Sequence, residues 1–300
     1  MQLTSKGIRK FVNDQRRVGV FFVLPSLTVF SIFVFLPLVV TVIFSFFSID
    51  LMGGNFKFTG LDNYAKLIGD SRFWNSLGNT FYYTFVSVPL QIILALLVTL
   101  AIERKTVFNA MLKSVYFLPA ICSMTIISII WTFILDNDIG ILNYYLRQIG
   151  INAVAWLKEP AWAMPTVILV GVWKTFGFNM VIFLAGLQGI PIVYYEAAQI
   201  DGAGNIKQFF KITLPMLMPT LGFVAITSVI NSFQVFDQVF VMTRGGPLFK
   251  TETTVQYVYS RAFEAYELGY ASSIAEALFL IILICSIVML KSLRKSEESF

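Results

Sequence analysis

Three runs contain no charged residue, 18–49, 73–102 and 114–135, and they constrain this chain more than any other feature of it. About 20 largely apolar residues are enough for a helix to cross a bilayer, and each run reaches that length. Three more apolar stretches carry one charge each: 164–187 holds Lys174, 216–242 holds Asp237 and 271–290 holds Glu276. The fold class that follows is all-α, a polytopic membrane protein with six transmembrane helices at about 18–48, 77–102, 114–135, 164–187, 216–242 and 271–290. Residues 1–17 and 291–300 form its tails. Composition agrees, since 57% of the 300 residues are hydrophobic and 13% are charged, where a soluble domain has about 25% charged.

The distribution of charge sets the orientation, because loops rich in Lys and Arg stay on the cytoplasmic side. The tails and the loops around Arg104 and Lys207 hold 13 Lys and Arg, and the other three loops hold 8. Both N and C termini are therefore expected to be cytoplasmic. The net charge of +5 follows from this topology and gives no role to nucleic acid. The basic tail precedes an apolar run too long for a signal-peptide core, which reads as a retained anchor. Cys122 and Cys285 fall inside expected spans, away from any disulfide framework. The chain has no His, the commonest metal ligand and proton shuttle, no G-x-S-x-G elbow and no G-x-x-x-x-G-K-[ST] phosphate loop. We assign no catalytic and no metal-binding residue, and nucleotide hydrolysis must belong to another chain.

Pro25, Pro37, Pro89, Pro119 and Pro219 lie inside the expected spans. Each removes a backbone hydrogen bond, which lipid tolerates only where neighbouring helices or a water-filled cavity satisfy the freed carbonyl. A packed bundle with an interior pathway is the expectation. Charges at membrane depth are costly and usually face a cavity or a partner, so Lys174, Asp237 and Glu276 are pathway candidates. Solvation at the outer span ends for the two acids, and snorkelling for Lys174, are the alternatives. Neutral polar groups suit a hydroxyl-rich ligand better, through amides and hydroxyls beside an aromatic surface. Ser228, Asn231 and Ser232 share one helical face, with Thr227 and Gln234 adjoining, and Gly171, Lys174, Thr175 and Phe178 share another. The same groups could instead bond neighbouring helices.

Between the last two of these faces lies "YYEAAQIDGAGNIKQFFKITLP", residues 194–215, polar and longer than a turn requires. Tyr195 to Ile200 is a compact helix former with Glu196 near its start, where the helix dipole favours a carboxylate. Ala197 and Ala198 leave its surface flat. Gly202 permits a sharp change of direction, through positive φ or close approach. A second short helix offers Phe209 and Phe210 to a partner's pocket, and Pro215 starts the fifth span. An interfacial loop resting on lipid headgroups is the bland alternative.

The spacing Glu196-Ala197-Ala198, then Asp201-Gly202-Ala203, then Ile212-x-Leu214-Pro215 resembles the EAA signature of membrane subunits in binding-protein-dependent ABC importers. "GLDNYAKLIGDSRFWNSLGNT", "YFLPA", "VWKTFGFNMVIFLAGLQGIP" and "TRGGPLFKTET" extend the likeness along nearly all of the chain, toward carbohydrate-type permeases of the maltose and glycerol-3-phosphate kind. The chain lacks the two extra N-terminal helices and the large outer insert of some maltose-system members. The resemblance implies the type I ABC importer permease fold, a multi-pass protein of a prokaryotic cell membrane, and ATPase coupling through the signature residues Glu196, Ala197, Ala198, Asp201, Gly202, Ala203, Ile212, Leu214 and Pro215, beside which Phe209 and Phe210 are the expected anchors for the ATPase. It implies a sugar bound mid-membrane by the fourth and fifth spans. The implied partners are a second homologous permease, two ATP-binding subunits and an extracytoplasmic solute-binding protein. No cofactor is expected on this chain, ATP and Mg belonging to the ATPases. Cargo of glycerol-phosphate, peptide or amino-acid type is the alternative within the class. An ion-driven secondary transporter would be expected to have inverted repeats, which we do not find.

Overall fold

The computed structural model describes residues 15–50, 54–103 and 106–297, so most of the basic tail, Arg104, Lys105 and the last three residues lie outside it. Backbone contacts divide the chain into two units, Met1–Ile68 with Arg261–Glu276 and Gly69–Ser260 with the residues from Ala277 onward.

The first unit contains α1 (Gln15–Phe30), a π-helical turn Ser31–Phe35, α2 (Leu36–Ser45), strands β1 (Phe47–Asp50) and β2 (Asn55–Phe58), and most of α3 (Asp62–Gly69). The apolar run expected to cross as one helix to residue 48 thus stops at Ser45. Phe46 leaves helical geometry at φ −92° and ψ 1°, and an antiparallel hairpin follows in the register Phe47↔Phe58 and Ile49↔Phe56. A small β element therefore accompanies the helices, which the all-α expectation left out. Its strands are built of alternating Phe and Ile, residues that favour a pleated surface. Buried Asn63 fixes the corner by donating from Nδ2 to the carbonyls of Ser45 at 2.8 Å and Phe47 at 2.9 Å.

The second unit is the bundle. Its elements are α4 (Ser71–Ile102), α5 (Val107–Ile121), α6 (Met124–Ile134), α7 (Ile141–Gln148), α8 (Pro160–Gln188), α9 (Ile192–Ile200), α10 (Asn205–Gln208), α11 (Leu214–Phe233), α12 (Asp237–Met242), α13 (Thr254–Tyr259) and the part of α14 (Leu268–Glu297) from Ala277 onward, with a π turn at Phe209–Thr213; the π turn Ser260–Glu264, from Arg261, and the start of α14 belong to the first unit. Asp70 starts α4 by accepting the backbone N–H groups of Arg72 at 2.9 Å and Phe73 at 3.3 Å, which satisfies two of the donors a helix start leaves unpaired. Helices α4, α8 and α11 meet around Ala95, Phe176, Met180, Phe183 and Val224. Small residues let the helices approach: a side chain at Gly177 of α8 would strike the Tyr116 carbonyl of α5.

Two expected spans are broken. The third turns through 98° between α5 and α6. Pro119 supplies no N–H near the end of α5, and Cys122 and Ser123 are extended at ψ 150° and 132°. With 15 and 11 residues, neither piece alone reaches the length of a span. The described residues hold five helices long and apolar enough to cross a membrane, or six with this bent pair. The fifth expected span, 216–242, stops at Phe233 and resumes at Asp237. Thr253 donates its hydroxyl to the Val235 carbonyl at 2.9 Å within the gap, so a backbone acceptor that the helix releases finds a partner.

The two π turns that precede helices, Ser31–Phe35 and Phe209–Thr213, each end two residues before a proline, Pro37 and Pro215. A proline ring crowds the carbonyl four residues back and offers it no donor. A local widening of the helix relieves that conflict.

Beyond the bundle, a network anchors the 243–253 loop to the start of α4. Arg72 grips the buried Glu252 carboxylate at 2.7 and 2.8 Å, Asn79 donates to the carbonyls of Phe249 and Glu252, and the Tyr257 hydroxyl donates to Asp70.

Candidate functional site

Helices α8 and α11 run on either side of the 189–213 connection and bring their polar faces to one cavity of about 440 Å³. All eight residues expected on a substrate pathway line it: Gly171, Lys174, Thr175 and Phe178 from α8, and Ser228, Asn231, Ser232 and Gln234 from α11 and its end. Helix periodicity explains why, since positions three and four apart share a face. Gly171 is needed for space, because a side chain there would run into the Tyr83 hydroxyl and the Gln238 amide. Asp237 also lines the cavity, just beyond the break in the fifth span, whereas Glu276 and Thr227 do not. The Thr227 hydroxyl instead bonds back to the Phe223 carbonyl at 2.8 Å.

Sequence reasoning missed one wall. Tyr83, Ser87 and Gln91 of α4 line the same space, at a spacing of four that repeats on one helical face. The same periodicity test, applied to α4, would have found them. Their polar atoms are tied to the other walls. Thr175 donates to Gln91 Oε1 at 2.8 Å, Asn179 Nδ2 donates to Ser228 Oγ at 3.2 Å, Ser87 and Ser232 share a hydroxyl bond of 3.3 Å, and Gln238 Nε2 donates to the Tyr83 hydroxyl at 2.7 Å. Such cross-helix bonds set the rotamers of the wall. Lys174, Asn231 and Gln234, by contrast, make no side-chain hydrogen bond among the described residues.

The signature stretch folds as an elbow. Helix α9 begins at Ile192, earlier than expected, so Glu196 sits in its middle turns and the dipole gives that carboxylate no special support. Gly202 has φ +73°. Ala203 N–H bonds the Ala198 carbonyl at 2.8 Å and Gly202 N–H bonds that of Gln199 at 3.0 Å, the pair of contacts that closes a helix around a left-handed residue. Among the described residues, nothing beyond its two chain neighbours lies within 4 Å of where a Gly202 side chain would start. Of the two reasons considered for this glycine, the chain itself supplies the backbone one. The expected second helix is brief, Asn205–Gln208, and continues through the π turn into α11, so that Ile212, Leu214 and Pro215 belong to one continuous helical path. Two bonds brace the bend: Tyr195 OH with Thr213 Oγ1 at 2.9 Å, and Gln208 Nε2 to the Ala203 carbonyl at 2.7 Å. Glu196, Ala197 and Asp201 are exposed, and so are Ile192, Val193, Ile200, Ile206 and Phe210, while Phe209 is half-buried.

The family described as "Binding-protein-dependent transport system inner membrane component" matches residues 64–294. The chain belongs to this family. As such an inner membrane component it is a multi-pass membrane protein, a transport subunit and not an enzyme, working in a system that depends on a binding protein. It is 35% identical to the probable ABC transporter permease protein YesP of Bacillus subtilis (strain 168), over 96% of this chain and 93% of that one. It is 32% identical to the lactose transport system permease protein LacF of Rhizobium radiobacter, over 99% of this chain and 100% of that one. Its fold matches a chain of a bacterial alginate ABC transporter solved with an alginate pentasaccharide-bound periplasmic protein, with a TM-score of 0.81, 22% identity and coverage of 96% and 98%. The inner membrane component thus has the importer permease fold that its signature implied.

Proposed function

We propose that this chain forms half of the translocation pathway of an ATP-driven sugar importer. One observation carries the reading: a polar, aromatic-edged cavity lies between the two helices that the elbow joins, so whatever moves the elbow moves the walls of the cavity. Amides and hydroxyls beside Phe178 suit a carbohydrate, and the lactose permease relative supports that class of cargo.

A second, homologous permease completes the pathway, and a pair of cytoplasmic subunits hydrolyses ATP with Mg. These subunits grip the elbow, whose exposed Ile192, Val193, Ile200, Ile206 and Phe210 give it an apolar face of the sort that partners cover. Tails and elbow face the cytoplasm, and the binding protein delivers sugar from the other side. Closure of the ATPases carries the braced elbow with it and turns the bundle outward. By linkage, a binding protein stimulates ATP hydrolysis only if it favours that same outward state.

The test is uptake into proteoliposomes holding the full complex with its cognate binding protein. Asn231→Leu removes an exposed amide of the cavity and should weaken cargo handling by roughly 1–3 kcal/mol, about fivefold to 150-fold in apparent affinity, with assembly unchanged. Full affinity and rate in this variant would refute the cavity as the pathway.

A further inference from the structure

The walls of the cavity are unequal in what they leave free. Most of the polar pairs, Thr175 with Gln91, Asn179 with Ser228, Ser87 with Ser232, are occupied by each other. Lys174, Asn231 and Gln234 keep their donors for something else. Lys174 stands at the midpoint of the 29-residue helix α8 and is half-buried. An ammonium at that depth is costly unless an anion answers it. The cavity holds one carboxylate, Asp237, which is exposed on the far side of the helix break. Among the described residues neither Lys174 nor Asp237 forms an ion pair.

Resting on the carbohydrate reading above, we infer that the cargo is an acidic saccharide, whose carboxylate or other anionic group is held by Lys174 while its hydroxyls bond Asn231 and Gln234. A neutral sugar would use the amides equally well and leave the ammonium without a counter-charge. An anionic group satisfies both, since charge-assisted hydrogen bonds are about twice as strong as neutral ones. The three donors of an ammonium also suit one anion held as a point charge, without the planar fork that Arg would impose.

The experiment measures direct binding to the purified permease–ATPase complex without binding protein, so that the selectivity of that protein does not enter. The probes are uronate oligosaccharides from pectate and alginate, each beside its carboxyl-reduced counterpart, which differs only in replacing the carboxylate by a primary alcohol. Wild type should bind the acid forms about tenfold or more tightly than the reduced forms. Lys174→Gln should lower that preference to about twofold or less, and Lys174→Arg, which keeps the charge, should retain most of it. Equal binding of both forms by wild type overturns the inference and leaves the carbohydrate reading standing. A preference that survives in Lys174→Gln places the anion elsewhere and also overturns it. Binding of neither form to wild type withdraws the carbohydrate reading and this inference together.

Discussion

Gly202 shows how much of the coupling argument rests on a single backbone angle. Its φ of +73° costs an ordinary residue about 1–2 kcal/mol, while the open space around it makes side-chain bulk within this chain irrelevant. Asn, which tolerates the left-handed region, should therefore keep more coupling than Ala, and β-branched Val should do worst. Uptake per ATP hydrolysed, measured with saturating binding protein, ranks the three. If Asn falls below Ala, contact with the ATPase surface is the constraint and the backbone account is wrong. Gly171 is the opposite case, a glycine required by space. Gly171→Ala should displace the Tyr83 hydroxyl from Gln238, costing roughly 1–3 kcal/mol, visible as a lowered thermal midpoint of the purified complex. Both glycines stood in the sequence, but only Gly202 gave its reason there, from its place between two helix-forming pieces; the neighbour that confines Gly171 is 88 residues away, at Tyr83.

At the scale of elements, the elbow is held by bonds that join its two ends. Tyr195→Phe deletes the 2.9 Å bond to buried Thr213 and leaves that hydroxyl without its partner, at about 1 kcal/mol. The expected phenotype is normal recovery of ATPase subunits with fewer sugars moved per ATP. Loss of the ATPases from the purified complex would instead mean that Tyr195 serves docking. A second element, the 243–253 loop, hangs on the Arg72–Glu252 pair. Glu252→Gln should destabilise it by roughly 1–3 kcal/mol, because it leaves a part-buried guanidinium short of its charge, and proteolysis within the loop reports that. Legibility differed sharply among the elements. Long apolar runs announced α4, α8 and α14, since periodicity and length are local properties. The bend at Cys122 was foreshadowed by Pro119 but not its 98° size, which depends on the helices around it. The gap before Asp237 has no proline or glycine to mark it, because what stabilises it is Thr253, sixteen residues beyond. The hairpin at Phe47 was hidden because its apolar residues extend the preceding span without a break.

For the whole molecule, two of the helices that line the cavity, α8 and α11, are also the two that the elbow joins, so the pathway and the coupling device share a frame. Their polar faces were legible from i, i+3, i+4 spacing, whereas the third wall on α4 was not sought. The central claim is that cargo passes through the space beside Asn231 when ATP drives the elbow. It can be tested with Asn231→Cys in a background where Cys122 and Cys285 are replaced by Ser, reconstituted with the full complex, binding protein and ATP. The measurement is ATP-driven uptake before and after reaction with a bulky, membrane-impermeant thiol reagent. The account predicts that modification abolishes uptake and that saturating cargo with binding protein slows the modification. Complete modification with undiminished uptake would contradict it.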